Sequence, residues 1–167
     1  IALNGFAAAS DRLEDKAEAE RLRAACLDQI AILKTVERKD KSEQPPKLYD
    51  LTTLQREANR LHGYTAQQTL DYAQSLYEKK LCTYPRTDSR YLTEDMAEKL
   101  PVLVNATAKA LPFMKGTAVY MNPAQVVNSA KVSDHHAIIP TLTMRESDLS
   151  ALPAGERSIL HMIAVRL

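Results

Sequence analysis

Residues 76–92, LYEKKLCTYPRTDSRYL, mark the place where a helical pattern changes into an extended segment. Pro85 fixes its own backbone and biases Tyr84 toward an extended conformation. Because residues i and i+2 of an extended chain point to the same side, Tyr84 and Arg86 are predicted to face one ligand together. The segment therefore predicts a tyrosine held in a defined direction rather than on a mobile loop.

The residue types in this segment suit attack on a phosphate. A tyrosine oxygen is a poor nucleophile at neutral pH because its pKa is about 10, and nearby positive charge lowers that pKa. A guanidinium stays charged and matches phosphate oxygens with its planar fork. Tyr84 is therefore the candidate nucleophile and Arg86 the candidate phosphate contact. The residue types alone leave one alternative open, a core tyrosine beside a surface arginine.

A second candidate for chemistry is the run DHHAIIPT at residues 134–141. Two adjacent histidines precede an apolar run that is typical of a strand. A histidine here could hydrogen-bond a phosphate oxygen or move a proton. The alternative is a structural histidine that makes a hydrogen bond at the start of a strand.

The chain after Pro46 has a mostly helical pattern. Thr52 followed by Gln55 fits a capping box for a first helix, which has Leu54, Ala58 and Leu61 on one face. Gly63 fits the end of that helix. A second capping box, Thr65 with Gln68, predicts another helix with Leu70, Ala73, Leu76 and Tyr77 on its buried face.

Two further helices are predicted toward the end of the chain. Thr93 fits an N-cap, with acidic residues in the first turn, and Pro101 predicts a kink or a restart of that helix. The stretch from 113 to 131 is the least regular. A final helix is predicted to begin at Ser147 or at Ala154.

The first 44 residues predict a strand–helix–strand unit. Its three elements are predicted at residues 1–10, 14–25 and 29–36. A charged run then leads to Pro45 and Pro46, and this change of composition predicts a domain boundary. The residue pattern gives an α+β fold class, mostly helical, with separate domains at 1–44 and 45–167.

Composition excludes several classes of protein. Apolar residues make up 45% and charged residues 26%, values typical of a globular chain, and no apolar run reaches the roughly 18 residues of a membrane span. Cys26 and Cys82 form no C-x-x-C pair, which argues against a disulfide scaffold or a zinc ribbon. We therefore expect a reducing cytoplasm. The net charge of +1 is low for a dedicated duplex-DNA binder.

Three strings, in this order along the chain, resemble the type IA DNA topoisomerases, and more closely the topoisomerase III branch of bacteria and mobile elements. They are PPKLYDLTTLQREANRLHGYTAQQTL at residues 45–70, LYEKKLCTYPRTDSRYL at 76–92 and DHHAIIPT at 134–141. The resemblance places the family's nucleophile on Tyr84 and its phosphate-contacting arginine on Arg86. It places the acid of the R-[ST]-D motif on Asp88 and the active-site histidine on His135.

The resemblance implies a fold and an activity. The expected fold is the central region of the enzyme, with residues 1–44 in the β-rich arch domain and 45–167 in a helical, tyrosine-bearing domain truncated at its C-terminal end. The expected reaction cleaves and rejoins one DNA strand through a 5′-phosphotyrosyl intermediate, without ATP, while another strand passes. Single-stranded DNA and the remaining domains of the parent chain are the expected partners.

The resemblance also implies what this chain lacks. The family binds Mg²⁺ in a toprim domain, which we expect outside this chain, so the chain alone is expected to be inactive. The expected location is the bacterial cytoplasm, on the nucleoid or a mobile element.

Three other functional classes share parts of these patterns. A tyrosine recombinase needs an H-x-x-R pair, and neither His135 nor His136 has an arginine three places on. A manganese phosphoesterase with an Asp-His-His motif needs a D-x-D pair, which the sequence does not contain. A non-catalytic, single-stranded DNA-binding module that keeps the family fold remains the alternative.

Overall fold

The computed structural model describes residues 2–3, 6–7, 9, 11–114 and 121–167. The chain divides into two units, residues 1–43 and 44–167. The described residues are mostly helical with few strands, as the sequence predicted. Parts of the predicted first strand and of the irregular stretch from 113 to 131 lie outside the described residues.

Among its described residues, the first unit contains two short paired strands and one helix. Strands β1 (Ala2–Leu3) and β2 (Phe6–Ala7) pair antiparallel, and helix α1 spans Lys16–Cys26. The strand predicted at residues 29–36 is wrong, because this segment is irregular and its alternate side chains Ile30 and Ile32 are 92% and 80% exposed. Alternating apolar residues form a strand only when a neighbouring strand or a core covers them.

The second unit contains four helices among its described residues. They are α2 (Leu51–His62), α3 (Ala66–Glu78), α4 (Leu100–Ala110) and α5 (Ala154–Arg166). Helix α3 packs against α2 and α5. Short 3₁₀ turns at 94–96, 112–114, 123–125, 129–131, 142–145 and 149–151 join them. No helix in the described part of the chain is long and apolar enough to cross a bilayer.

The start of α2 differs from the prediction. Asp50, not Thr52, caps the helix, and its carboxylate accepts a hydrogen bond from the Thr53 N–H at 2.6 Å. Aspartate is as good an N-cap as serine or threonine, and Asp50 stands directly before the first helical residue, Leu51. The helix ends as predicted at Gly63, whose φ of 71° is the left-handed conformation that glycine adopts at low cost. The Thr65 capping box is confirmed.

The two later helices begin at Leu100 and Ala154. The segment after Thr93 forms only a 3₁₀ turn, Glu94–Met96, and α4 begins at Leu100. Pro101 lies in the first turn of α4, where its missing N–H costs nothing, so it accompanies a restart and not a kink. The final helix begins at the second predicted position, Ala154.

A strand-like run divides the core of the second unit. Ile138 packs in one cluster with side chains of α2, α3 and α5. Its neighbours Ala137 and Ile139 pack in a second cluster, with Leu92 and with Leu100 of α4. Successive side chains of an extended segment point in opposite directions. The run at 137–139 therefore lies between the two clusters and holds the preceding histidines at their edge.

The predicted buried faces of α2 and α3 are partly correct. Ala58 and Ala73 are fully buried, as predicted. Leu61 is 51% exposed and Tyr77 is 40% exposed, contrary to the prediction. Both lie in the last turn or two of their helices, where fewer neighbouring elements cover a side chain.

Candidate active site

Exposure alternates along the extended segment that follows α3. Its buried side chains are those of Pro85, Thr87 and Ser89, and its accessible side chains are those of Tyr84, Arg86 and Asp88. This period of two is the pattern of an extended backbone with one covered side. Tyr84, Arg86 and Asp88 therefore leave the segment on its uncovered side, while the intervening residues anchor it.

Hydroxyl groups on the covered side tie this segment to the histidine run. The Thr87 hydroxyl donates to the His135 carbonyl at 2.7 Å. The Thr83 hydroxyl donates to the Ala137 carbonyl at 3.1 Å and accepts from the Ile139 N–H at 3.0 Å. Such bonds satisfy backbone groups that would otherwise be buried without a partner.

The start of α2 joins the same arrangement. The Leu51 N–H, which opens α2, donates to the Thr87 carbonyl at 3.0 Å. The Ile138 N–H donates to the Tyr49 carbonyl at 2.8 Å. The three sequence strings, which are separate along the chain, therefore meet at one place, with the tyrosine segment hydrogen-bonded to both of the others.

Tyr84 lies between two aromatic rings. Its ring centroid is 4.5 Å from that of His135, and the two planes are tilted by 51°. The exposed Tyr77 also meets it edge-on, with the ring centroids 5.3 Å apart. Within the described part of the chain, the Tyr84 hydroxyl makes no hydrogen bond and Arg86 makes neither a hydrogen bond nor an ion pair. Both groups are therefore available to a ligand.

The neighbouring polar groups differ in how they are held. Asp88 accepts a hydrogen bond from the Ser133 hydroxyl at 2.9 Å, which fixes one carboxylate oxygen. His135 is exposed, with its ring against Tyr84. His136 is partly buried, and its Nδ1 donates to the Ala137 carbonyl at 2.8 Å. The structure thus brings Tyr84 and His135 together and gives His136 a local backbone contact.

Cys82 lies two residues from Tyr84 but is not a competing nucleophile. Its side chain is 2% exposed. Burial raises the pKa of the Cys82 thiol to about 12. The reactive form of cysteine is the thiolate, so this group stays inert at neutral pH.

Two features of the site were not predicted from the sequence. The anchoring hydroxyls of Thr83, Thr87 and Ser89 fall at every second or fourth position, a spacing that marks one side of an extended segment. The other missed feature is a cluster that Tyr49 forms with Glu57 of α2 and Arg166 of α5. No short motif marks it, because its members lie far apart in sequence.

This second cluster is closely hydrogen-bonded. The Tyr49 hydroxyl donates to Glu57 at 2.8 Å and accepts from Arg166 at 2.9 Å, and Arg166 also pairs with Glu57. Burial and the hydrogen bond to Glu57 raise the pKa of Tyr49 well above its ordinary value. Burial alone would raise the pKa of Glu57, but the hydrogen bond from Tyr49 and the charge of Arg166 outweigh it and hold that pKa below its ordinary value.

The described residues do not fit a magnesium site. No three or more His, Cys, Asp or Glu side chains lie together within residues 11–114 and 121–167. Magnesium takes carboxylate oxygens as protein ligands, and Asp88 is a single carboxylate already bonded to Ser133.

Comparison with known proteins identifies related sequences. The model of a family described as DNA topoisomerase matches residues 4–167. DNA topoisomerase 3 of Shouchella clausii is 42% identical over 163 residues, which cover 93% of this chain and 22% of that protein. The same-named protein of Bacillus anthracis is 41% identical over 136 residues, covering 78% and 18%. That of Staphylococcus saprophyticus is 36% identical over 157 residues, covering 91% and 22%. The chain spans about a fifth of the length of these relatives.

Proposed function

Because this chain belongs to the type IA DNA topoisomerase family and is similar to bacterial topoisomerase 3, we propose that it carries the strand-cleaving tyrosine of such an enzyme. The proposed nucleophile is Tyr84. The observation that supports it best is its position, partly exposed beside His135 on a segment anchored from its other side.

The proposed reaction exchanges one phosphate ester for another. The Tyr84 oxygen attacks a phosphorus of a single DNA strand and forms a 5′-phosphotyrosyl bond. The bond from phosphorus to the 3′-oxygen breaks, and the proton lost by the phenol is balanced by the proton gained at the 3′-hydroxyl. Attack by that hydroxyl reverses the step after another strand has passed. Because one ester replaces another, no ATP is required.

Three neighbouring side chains assist in this proposal. Arg86 has no protein partner among the described residues, so its fork is free to bind the non-bridging phosphate oxygens and stabilise their charge. His135 is close enough to Tyr84 to hydrogen-bond the same phosphate or to pass the proton. Asp88 orients the surrounding hydrogen bonds through Ser133.

The rest of the proposal concerns the longer protein. We assign residues 1–44 to the arch domain and 45–167 to the tyrosine-bearing domain. Magnesium and the rest of the DNA-binding groove are assigned to other parts of the parent chain, so residues 1–167 alone are expected to fold without relaxing DNA. Single-stranded DNA is the proposed partner and the bacterial cytoplasm the proposed location.

The decisive experiment replaces Tyr84 by phenylalanine in the full-length protein. This change removes one oxygen and little volume, so it should abolish the covalent adduct with a labelled single-stranded oligonucleotide and leave noncovalent binding intact. Adduct is measured after denaturation, with the label on the 5′-phosphate side. Tyr77→Phe is the matched control, because Tyr77 contacts the Tyr84 ring, and it should still form adduct. Adduct from the Tyr84→Phe protein would refute the assignment.

The two adjacent histidines provide a second test. His135→Ala should lower the adduct yield more than His136→Ala, because the His135 ring contacts Tyr84 and the His136 ring bonds to a backbone carbonyl. Equal losses in the two variants would remove His135 from the proposed mechanism.

A further inference from the structure

Two lysines contact the ring of Tyr91, which follows the candidate nucleophile Tyr84 in the sequence. The ammonium nitrogens of Lys47 and Lys131 each lie 4.9 Å from the centroid of that ring. Lys47 precedes α2, and Lys131 ends the 3₁₀ turn at 129–131. Two separate parts of the chain thus deliver one positive charge each to the same phenol.

The backbone fixes the positions from which these side chains extend. The Tyr91 carbonyl accepts from the Ala137 N–H at 2.9 Å. The Lys131 carbonyl accepts from the Ser89 hydroxyl at 2.9 Å. Near Lys47, the Leu48 carbonyl accepts from Arg90 Nε at 3.3 Å. The cluster is therefore carried by the same hydrogen-bonded segments that hold Tyr84.

Across the described residues, neither Lys47 nor Lys131 forms an ion pair with a carboxylate. The nearby ammonium groups of Lys47 and Lys131 lower the pKa of the Tyr91 phenol. Because both ammonium nitrogens lie 4.9 Å from the same ring centroid, an anion beside that ring is attracted by both charges.

We propose that Lys47, Tyr91 and Lys131 bind a phosphate of the DNA strand at a linkage other than the one that Tyr84 attacks. The two ammonium groups and the phenol hydroxyl supply donors for phosphate oxygens without reading a base. Tyr91 lies seven residues from Tyr84, at most roughly 23 Å along an extended chain. The cluster therefore holds the strand a few nucleotides away from the cleaved linkage. This inference rests on the proposed function, since it takes DNA to be the ligand.

The test measures binding of a single-stranded oligonucleotide to the full-length protein over a range of salt concentrations. All proteins carry Tyr84→Phe, so that covalent chemistry does not enter. Lys47→Gln/Lys131→Gln should make the negative slope of log affinity against log salt shallower by about 0.7, the change expected when one phosphate is no longer neutralised. Lys34→Gln/Lys109→Gln removes the same charge from exposed sites elsewhere and should leave the slope nearly unchanged. Equal slopes for the two double variants would overturn the proposal.

A scan of the oligonucleotide locates the contact. Neutral methylphosphonate is placed at one linkage at a time. At one linkage, methylphosphonate should weaken binding to the protein that keeps both lysines and have no effect on binding to Lys47→Gln/Lys131→Gln. Tyr91→Phe keeps the ring but loses the hydroxyl. Its affinity for the unmodified oligonucleotide should therefore lie between that of the protein with both lysines and that of Lys47→Gln/Lys131→Gln. Equal effects of every linkage on both proteins would contradict a specific phosphate contact.

Two further arms separate the other outcomes. Inorganic phosphate at matched ionic strength should displace the oligonucleotide equally from both proteins. Lysine-dependent binding of phosphate that leaves the oligonucleotide bound would show a separate site for free phosphate and refute the DNA contact. Adduct formation by the protein with Tyr84 intact is measured separately. Equal salt slopes with adduct preserved would refute this cluster alone, whereas absence of adduct with the slope difference preserved would refute only the role of Tyr84.

Discussion

Tyr49 and Tyr84 each have an arginine close by in the fold or the sequence, but the structure holds the two tyrosines differently. Tyr49 is 2% exposed, and its hydroxyl is bonded to both Glu57 and Arg166. Tyr84 is partly exposed, and among the described residues its hydroxyl has no protein partner. The same two residue types therefore form a satisfied structural cluster in one place and an open polar surface in the other.

The difference shows how a reactive group is recognised in this protein. A polar group whose bonding capacity is met inside the fold contributes to stability and leaves nothing for a ligand. Arg86 and the Tyr84 hydroxyl keep that capacity, and the cost is small because both reach solvent. Rigidity at the open surface comes instead from Thr83, Thr87 and their partners on the covered side.

The largest expected effect follows from removing the arginine of the open pair. In the full-length protein, Arg86→Ala should slow adduct formation by roughly 10²- to 10³-fold, the usual loss when one fixed donor to a transition-state charge is removed. Arg86→Lys should recover part of the rate, since charge is kept without the bidentate fork. The free energy of unfolding should change by less than about 0.5 kcal/mol, as for other surface substitutions. Single-turnover adduct assays and urea unfolding measure the two quantities. A large loss of stability would indicate a structural role for Arg86.

Removing the arginine of the satisfied pair should have the opposite consequence. Arg166→Ala leaves Glu57 and Tyr49 without their main partner and should lower the free energy of unfolding by about 2 to 4 kcal/mol. The matched control is Arg60→Ala, which removes an exposed partner of the same Glu57, 3.4 Å away, and should cost less than about 1 kcal/mol. Urea unfolding of the two variants provides the measurement. Similar losses would show that the cluster is no stronger than a surface pair.

The anchoring side of the open segment can be weakened without touching the charged side. Thr87→Val keeps the shape but leaves the His135 carbonyl and the Ser89 N–H without the hydroxyl that they bond. It should cost about 1 to 3 kcal/mol of stability. It should also slow adduct formation by roughly tenfold under conditions where the protein is folded, because small misplacements of reacting groups slow a reaction. Thr87→Ser keeps the hydroxyl and should behave nearly as wild type. An unchanged rate in Thr87→Val would mean that this bond does not position the site.

The smallest effect concerns the alkaline limb of the stability curve. The folded pKa of Tyr49 is raised, so its contribution to stability is complete below the unfolded pKa of about 10 and is lost as pH rises above it. Tyr49→Phe should be less stable than wild type at neutral pH. Above about pH 10, the stability of this variant should fall less steeply with pH than that of the wild type. The difference between the two slopes should be up to about 1.4 kcal/mol per pH unit. Unfolding measured across this pH range tests the slope. The same slope in Tyr49→Phe and wild type would mean that the Tyr49 hydroxyl does not govern this pH dependence.

Local signals in the sequence predicted a large part of the fold. The Thr65 capping box, the end of α2 at Gly63 and the final helix from Ala154 each depend on a few neighbouring residues, and each is confirmed. The errors have a different origin. The strand predicted at residues 29–36 required a partner strand. The prediction of Thr52 as the N-cap overlooked Asp50, and the helix that Asp50 caps also begins with a backbone hydrogen bond from Leu51 to Thr87.

The candidate site was predictable to a similar degree. The alternation of side chains after Pro85 follows from the restricted backbone, so the common side of Tyr84 and Arg86 was accessible from sequence. The partnership of Thr87 with His135 was not, since it joins residues 48 positions apart. The Lys47–Tyr91–Lys131 cluster was missed for the same reason, because no periodicity relates its three members.

The sequence by itself determined most of the helical segments, the extended conformation around Tyr84 and the membership of a topoisomerase family, because these depend on local backbone preferences and on ordered motifs. Only the tertiary structure decided which tyrosine is enclosed and which is open. Tyr49 is enclosed because Glu57 of α2 and Arg166 of α5 bond to its hydroxyl. Tyr84 stays accessible because Thr87 and its neighbours, not Tyr84, occupy the covered side of their segment. Burial and bonding at one position depend on residues far along the chain, and that information is expressed only when the elements pack.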